Sequence, residues 1–208
     1  QMLALVAMEA PASFRSEFVR DEKVKLLRSV RPFDLDHLDR DIVRGRYGPG
    51  ERDGVPVRGY LQEDGVAPDS MIETYLAARL WIDNWRWRGV PFYLRTGKML
   101  ARRLSEIAIT FNPVPHSMFE PLAPSDLTPN MLVLNVQPDE GISLRMLAKH
   151  PGPKLCMSAL DMAFKYSDVF EEPAGEAYER LLLDAMLGDQ TLFVRSDEMQ
   201  VAWSLVTP

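Results

Sequence analysis

The sequence predicts an α+β fold: a large, mostly antiparallel sheet with helices packed on one face. Three observations carry this. Between residues 72 and 164, short apolar or alternating runs follow one another, joined by Pro- and Gly-rich links of hairpin length. Segments with helical periodicity lie on both sides of that stretch, at the two ends of the chain. The regular strand–helix alternation of a doubly wound α/β domain is absent.

Each element has its own justification. The opening Met2-Leu3-Ala4-Leu5-Val6-Ala7-Met8 reads as the end of a helix begun upstream: no basic segment precedes it and Glu9 interrupts it too early for a signal peptide. Residues 16–30 predict a helix, with Phe18, Val19, Val24, Leu26, Leu27 and Val30 as its apolar positions and Pro32 as its stop. Asp21, Glu22, Lys23 and Lys25 are expected to form its solvated face. Residues 34–41 are strongly acidic. Gly45, Gly48, Pro49, Gly50 and Gly54 then predict a loop whose glycine spacing is not that of a dinucleotide fingerprint.

Strands are expected over 72–82, 90–95, 106–111, 131–136 and 142–148, and 154–164 supplies one more strand or two short ones. Ser143, Arg145 and Leu147 alternate with Leu144, Met146 and Ala148, as in a sheet with one wet face. Asn112-Pro113-Val114-Pro115, residues 121–129 and residues 138–141 are the intervening turns. Tyr178, Leu181, Leu182, Ala185 and Met186 share one helical face, and Gly188 stands as the C-terminal stop. Ser196 is placed to N-cap a last helix running to Trp203 and beyond.

A chain of 208 residues can bury a substantial core, and residues 1–208 are taken as one domain. The formal net charge of −6 argues against a nucleic-acid or anionic-membrane partner, since either needs a broad basic face. No apolar stretch is long enough to span a bilayer. Cys156 is the single cysteine, so no internal disulfide can form, which suits a reducing cytoplasm. A first residue Gln1, and apolar residues still arriving at 203–208, lead to the expectation that the chain is a piece of something longer.

Chemistry is concentrated at one place. Arg95, Lys98, Arg102 and Arg103 come directly after the apolar run 90–94, and Thr96-Gly97 offers a turn at which backbone can approach a ligand. A lysine at a strand end is a compact charge suited to a phosphate or to sugar hydroxyls. The plainer reading is a strand whose cations simply face water. The three histidines, His37, His116 and His150, lie far apart with no Cys or carboxylate at metal-ligand spacing, so neither a metal site nor a catalytic triad is expected. Cations that can hold an anionic small molecule remain, and these do not by themselves break bonds.

The words in that segment carry more. Arg86-Trp87-x-Gly89-Val90-Pro91-Phe92-x-Leu94-Arg95-x-Gly97-Lys98 closely resembles the signature of the C-terminal domain of the glucose-6-phosphate dehydrogenase family. In the family's order there follow or precede it Val6-Ala7-Met8-Glu9-Ala10-Pro11-Ala12-Ser13, Val19-Arg20-Asp21-Glu22-Lys23-Val24-Lys25, Gly59-Tyr60-Leu61 and Val136-Gln137-Pro138. Ala177-Tyr178-Glu179-Arg180-Leu181, Arg195-Ser196-Asp197-Glu198 and Ala202-Trp203 complete the match, which runs essentially end to end.

The resemblance implies an oxidoreductase that passes hydride from C1 of glucose 6-phosphate to NADP while a histidine takes the hydroxyl proton. It implies that Lys98, Arg103 and Gln137 contact substrate. The family's histidine lies upstream of Gln1, as does the coenzyme domain, so this chain holds no catalytic residue and is expected to be inactive alone. Some members carry a second NADP on this domain's sheet, which would place Arg95, Arg145 and Asp161 there. Leu104, Asn135 and Ser143 replace charged or aromatic residues of that second site, so tight binding is not expected. Also implied are a homodimer or higher homo-oligomer formed through the sheet, a place in the oxidative pentose phosphate pathway and a cytoplasmic location. The competing expectation is a non-catalytic relative that keeps the domain as an assembly scaffold.

Overall fold

A computed structural model describes residues 1–52, 54–118, 122–153, 155–170 and 177–207. The Pro121 end of one expected turn, Lys154 and Pro208 lie outside the described residues. The chain forms two compact units, Gln1–Ala101 with Glu176–Pro208, and Arg102–Gly175. In chain order the elements are α1 (Met2–Ala7), α2 (Ser16–Arg28), β1 (Ile42–Gly45), β2 (Gly50–Arg52), β3 (Val55–Val57), β4 (Tyr75–Trp81), β5 (Pro91–Gly97), β6 (Ser105–Thr110), β7 (Met131–Gln137), β8 (Gly141–Lys149), β9 (Met157–Lys165), α3 (Tyr166–Val169), α4 (Ala177–Leu187) and α5 (Ser196–Val206). The class is α+β, with every strand pairing antiparallel. Pairing runs in sheets of three, two and four strands.

In the first unit the sheet order is β1-β4-β5. Successive strand residues point to opposite faces, so Leu80 of β4 and its partner Phe92 of β5 share the core face. Ala4 and Ala7 of α1, Leu26, Leu27 and Val30 from α2 and its exit, and Leu80 and Ile82 form the buried cluster. Val201, Ala202 and Leu205 of α5 pack against it. Burying each large side chain contributes roughly 1.5–3 kcal/mol, which holds the helices to the sheet. The end of α2 is fastened in place by a bridge between Val30 and Ile82 and by Asp83 N–H donating to Ser29 O at 2.7 Å. Pro32 cannot continue the helical ladder, so the chain leaves here.

The face of α2 expected to be wholly solvated is partly interior. Arg20 and Lys23 are buried. Lys23 Nζ lies 2.7 Å from Glu198 Oε1 on α5, and Arg20 donates to Phe193 O at 3.3 Å and to Gln190 Oε1 at 2.6 Å. A sequence pattern marks charge as surface by default; partners far along the chain reverse that.

Three further differences have physical reasons. The stretch read as a glycine loop contains the β2–β3 pairing, which three-residue exposed strands do not announce by alternation. β1 went unmarked because Val43 and Arg44 are both exposed. Ser196 is the first residue of α5 rather than its cap: Arg195 precedes the helix in extended conformation, and no side chain caps it. Gly188, at φ +75°, ends α4 in the left-handed conformation expected of a glycine stop.

The second unit is a meander, β6-β7-β8-β9. Its register puts Ile107, Ile109, Leu132, Leu134, Ile142 and Leu144 on one face. Val133, Ser143, Arg145 and Asp161 lie on the other. Residues 157–165 form a single strand.

Candidate functional site

Lys98 sits where β5 ends. Gly97 pairs with Tyr75, and a Cβ on it would lie 2.9 Å from Tyr75 Cδ2, 3.3 Å from Thr74 O and 3.4 Å from Leu100 Cδ2. A side chain at 97 would have to displace the Tyr75 ring. Lys98 N–H then donates to Thr74 O at 2.8 Å. Met99 follows at φ +53°, a left-handed conformation rare for a side chain of that size. The lysine itself is exposed. Thr96 and Gly97 are not themselves the turn: they pair with Leu76 and Tyr75 as the last residues of β5, and the bend falls on Lys98 and Met99.

Arg95 lies on β5 opposite Ala77, on the sheet face turned away from the α1–α2 core. Near Thr74, Tyr47 packs edge-on against Tyr60 with ring centroids 5.8 Å apart, and its hydroxyl reaches Glu63 Oε1 at 3.4 Å. Desolvation, and then the Glu63 charge, push the Tyr47 phenol above its ordinary range.

In the second unit, Gln137 closes β7 opposite Ser105, and Arg103 stands just ahead of Ser105. Arg103 and Gln137 therefore belong to the same end of the β6–β7 ladder. A register shift between Ser105 and Glu106 falls at this end as well. Both side chains are exposed.

Arg145 and Asp161 are brought directly together. They face each other across β8 and β9, with Nε 2.8 Å from Oδ1 and Nη2 3.1 Å from Oδ2. Hydrogen bonds from Arg145, with its charge assisting, hold the Asp161 carboxyl below the usual carboxylate range. The guanidinium is raised in return. Asn135 and Ser143 share this face and carry no charge. The donors of Arg145 on this face are engaged by Asp161.

The Arg195-Ser196-Asp197-Glu198 signature turns out to be a fastening. Arg195 bonds Asp197 at 2.7 Å, Asp21 at 2.7 Å and Glu17 at 3.1 Å, which ties the start of α5 to α2. Its partners raise its already high pKa further. Among the described residues no three His, Cys, Asp or Glu side chains cluster as metal ligands. His37 pairs with Asp34 at 2.8 Å and His150 contacts Pro151 O at 2.9 Å. No helix among the described residues is long and apolar enough to cross a membrane.

The fold is α+β, and Lys98 and Arg103 stand exposed next to strand ends. The model of the glucose-6-phosphate dehydrogenase C-terminal domain matches residues 1–208. A glucose-6-phosphate 1-dehydrogenase of Aggregatibacter actinomycetemcomitans is 48% identical over 208 residues, covering 100% of this chain and 41% of that protein. One from Bacillus subtilis is 45% identical over 208 residues, covering 99% of this chain and 42% of that protein. A solved glucose-6-phosphate dehydrogenase in complex with glucose 6-phosphate superposes with a TM-score of 0.86 at 42% identity, covering 99% of this chain and 40% of that one. The chain belongs to the glucose-6-phosphate dehydrogenase C-terminal domain family, and it spans about two fifths of the length of these relatives.

Proposed function

We propose that this chain is the substrate-binding and dimerisation part of an NADP-dependent glucose-6-phosphate 1-dehydrogenase, which oxidises glucose 6-phosphate to 6-phosphogluconolactone at the head of the oxidative pentose phosphate pathway. The observation that carries the reading is Lys98, exposed directly after a strand end packed close to Tyr75, in a chain similar throughout to such enzymes. Lys98 holds substrate oxygens by charge-assisted hydrogen bonds, and the family resemblance assigns substrate contacts to Arg103 and Gln137 as well. These groups bind and orient; none of them is placed to take a proton.

NADP, when bound, supplies the hydride acceptor, and the reading assigns its main site and the histidine base to the part of the protein outside this chain. Relatives more than twice as long support that division. A dimer through the sheet is supported by β9, where Leu160, Met162 and Phe164 share one face and are exposed at 53%, 56% and 38%. Apolar faces of this kind mark interfaces. A cytoplasmic location agrees with the lone Cys156.

The test is NADP reduction with glucose 6-phosphate by the full-length protein, beside its Lys98→Ala variant and the 208-residue chain. The full-length protein is expected to be active and the chain alone inactive. Losing a charge-assisted bond worth about 1.5–3 kcal/mol lowers kcat/KM in the variant about 10- to 100-fold. A folded full-length protein without activity would overturn the reading in favour of a non-catalytic scaffold.

A further inference from the structure

Lysine offers the fold little to hold. Its ammonium ends a flexible four-carbon stem, so what a protein can fix is the backbone from which that stem departs. At Lys98 this backbone is anchored to Thr74, whose carbonyl accepts the Lys98 N–H at 2.8 Å. Thr74 is gripped from the opposite side by two more bonds. Its N–H donates to Gly45 O at 2.9 Å, at the end of β1, and its hydroxyl oxygen accepts Tyr47 N–H at 3.1 Å. Tyr47 is fixed in turn, since its carbonyl accepts Tyr60 N–H at 3.0 Å. Thr74 therefore joins the ends of β1, β4 and β5, and it is half-buried while Lys98 is exposed.

We infer that Thr74 is a positioning residue for Lys98: its hydroxyl, by holding Tyr47 N–H, sets where the lysine stem leaves the sheet and so how well the ammonium meets the anionic substrate. The inference rests on the reading of Lys98 as a substrate contact. The bend has little slack to absorb an error, because Gly97 has no room for even a Cβ beside the Tyr75 ring and Met99 is held left-handed. Strained backbone of that kind persists only where its surroundings over-determine it. Thr74 supplies a hydrogen bond at this bend, through its carbonyl to Lys98 N–H, and small displacements of a binding group are costly to turnover.

Thr74→Val in the full-length enzyme removes the hydroxyl acceptor and leaves both main-chain bonds. It is compared with Thr74→Ser, with Lys98→Ala and with the Thr74→Val/Lys98→Ala double variant, by KM for glucose 6-phosphate, KM for NADP and kcat. Thr74→Val is expected to raise KM for glucose 6-phosphate about threefold to tenfold, the scale of one hydrogen bond, with less than about a twofold change in KM for NADP. Thr74→Ser restores the original value. With Lys98 already removed, Thr74→Val adds less than about twofold, because two groups acting through one contact are not additive. A penalty from Thr74→Val that persists undiminished without Lys98, or that moves both KM values together, overturns the inference while leaving Lys98 in its place. Lys98→Ala with an unchanged KM for glucose 6-phosphate overturns the reading of Lys98 itself, and this inference with it. Should Thr74→Val fail to fold, Thr74→Ala carries the same comparison.

Discussion

Lys23 and Glu198 form an ion pair inside the helical layer: Nζ lies 2.7 Å from Oε1, and the two side chains are 4% and 3% exposed. The second carboxylate oxygen lies 2.9 Å from the same ammonium. α2 and α5 are far apart in sequence, and this contact fixes how one lies on the other. A buried pair of this kind is costly to break and inexpensive to replace, because desolvation consumes much of the attraction.

Removing one partner leaves the other charge buried and unmatched. Lys23→Met or Glu198→Leu alone is therefore expected to destabilise the protein by about 3–5 kcal/mol, whereas the double variant recovers most of that loss. Urea midpoints of the four proteins check it. Additive losses in the double variant would show that the two residues act separately.

Gly97→Ala tests the turn that presents Lys98. The new Cβ would lie 2.9 Å from the Tyr75 ring, closer than carbon atoms tolerate, with Thr74 O at 3.3 Å behind it. Overpacking of this kind costs about 1–3 kcal/mol. Thermal unfolding should show the loss, and Tyr75→Leu in the same protein should relieve part of it. A variant as stable as the parent would mean that the strand end moves freely, contrary to the packing described.

How much of this was legible in the chain depends on whether a feature is local. Residues 16–30 betrayed α2 by apolar spacing and Pro32, and Leu80, Ile82 and Phe92 marked strands by lying in apolar runs between turns. β1, β2 and β3 were hidden because short exposed strands have no face to bury. At the site, Lys98 was visible through the adjacent Thr96-Gly97. Thr74 was not, since its bonds to Gly45, Tyr47 and Lys98 exist only once β4 is set between β1 and β5. Arg145 and Asp161 were each visible as charged strand residues, and only the family resemblance suggested a second nucleotide site for them. Their mutual pairing is a property of the β8–β9 register, which no single stretch contains.

That register has a consequence for acid. Asp161 is held below its ordinary value of 3.8 by Arg145. A carboxylate depressed in the folded state stabilises it above the unfolded value, and the contribution disappears as pH falls through the lower, folded value. Its window therefore lies below pH 3.8, and neutral pH leaves it unaltered. Carboxyl chemical shifts followed by NMR should titrate below 3.8 in the parent and return toward it in Arg145→Leu. An Asp161 titration unaffected by that substitution would show the pair to be absent in solution.

The same pair bears on the expectation that this face holds no tight second nucleotide. A phosphate approaching Arg145 meets the Asp161 carboxylate on the same fork of donors, at 2.8 and 3.1 Å, and must displace it while accepting the repulsion of its charge. The donors of that fork are already engaged, in a pair whose side chains are 48% and 53% exposed and so open to screening by solvent. Calorimetric titration of the full-length protein with NADP should therefore show one tight site per chain, without a second in the micromolar range. Asp161→Asn should release Arg145 and produce additional weak binding that fades as salt rises, since it rests on an exposed cation. A second stoichiometric micromolar site in the unaltered protein would show that the Arg145–Asp161 pair yields to the coenzyme, and that this face is a nucleotide site after all.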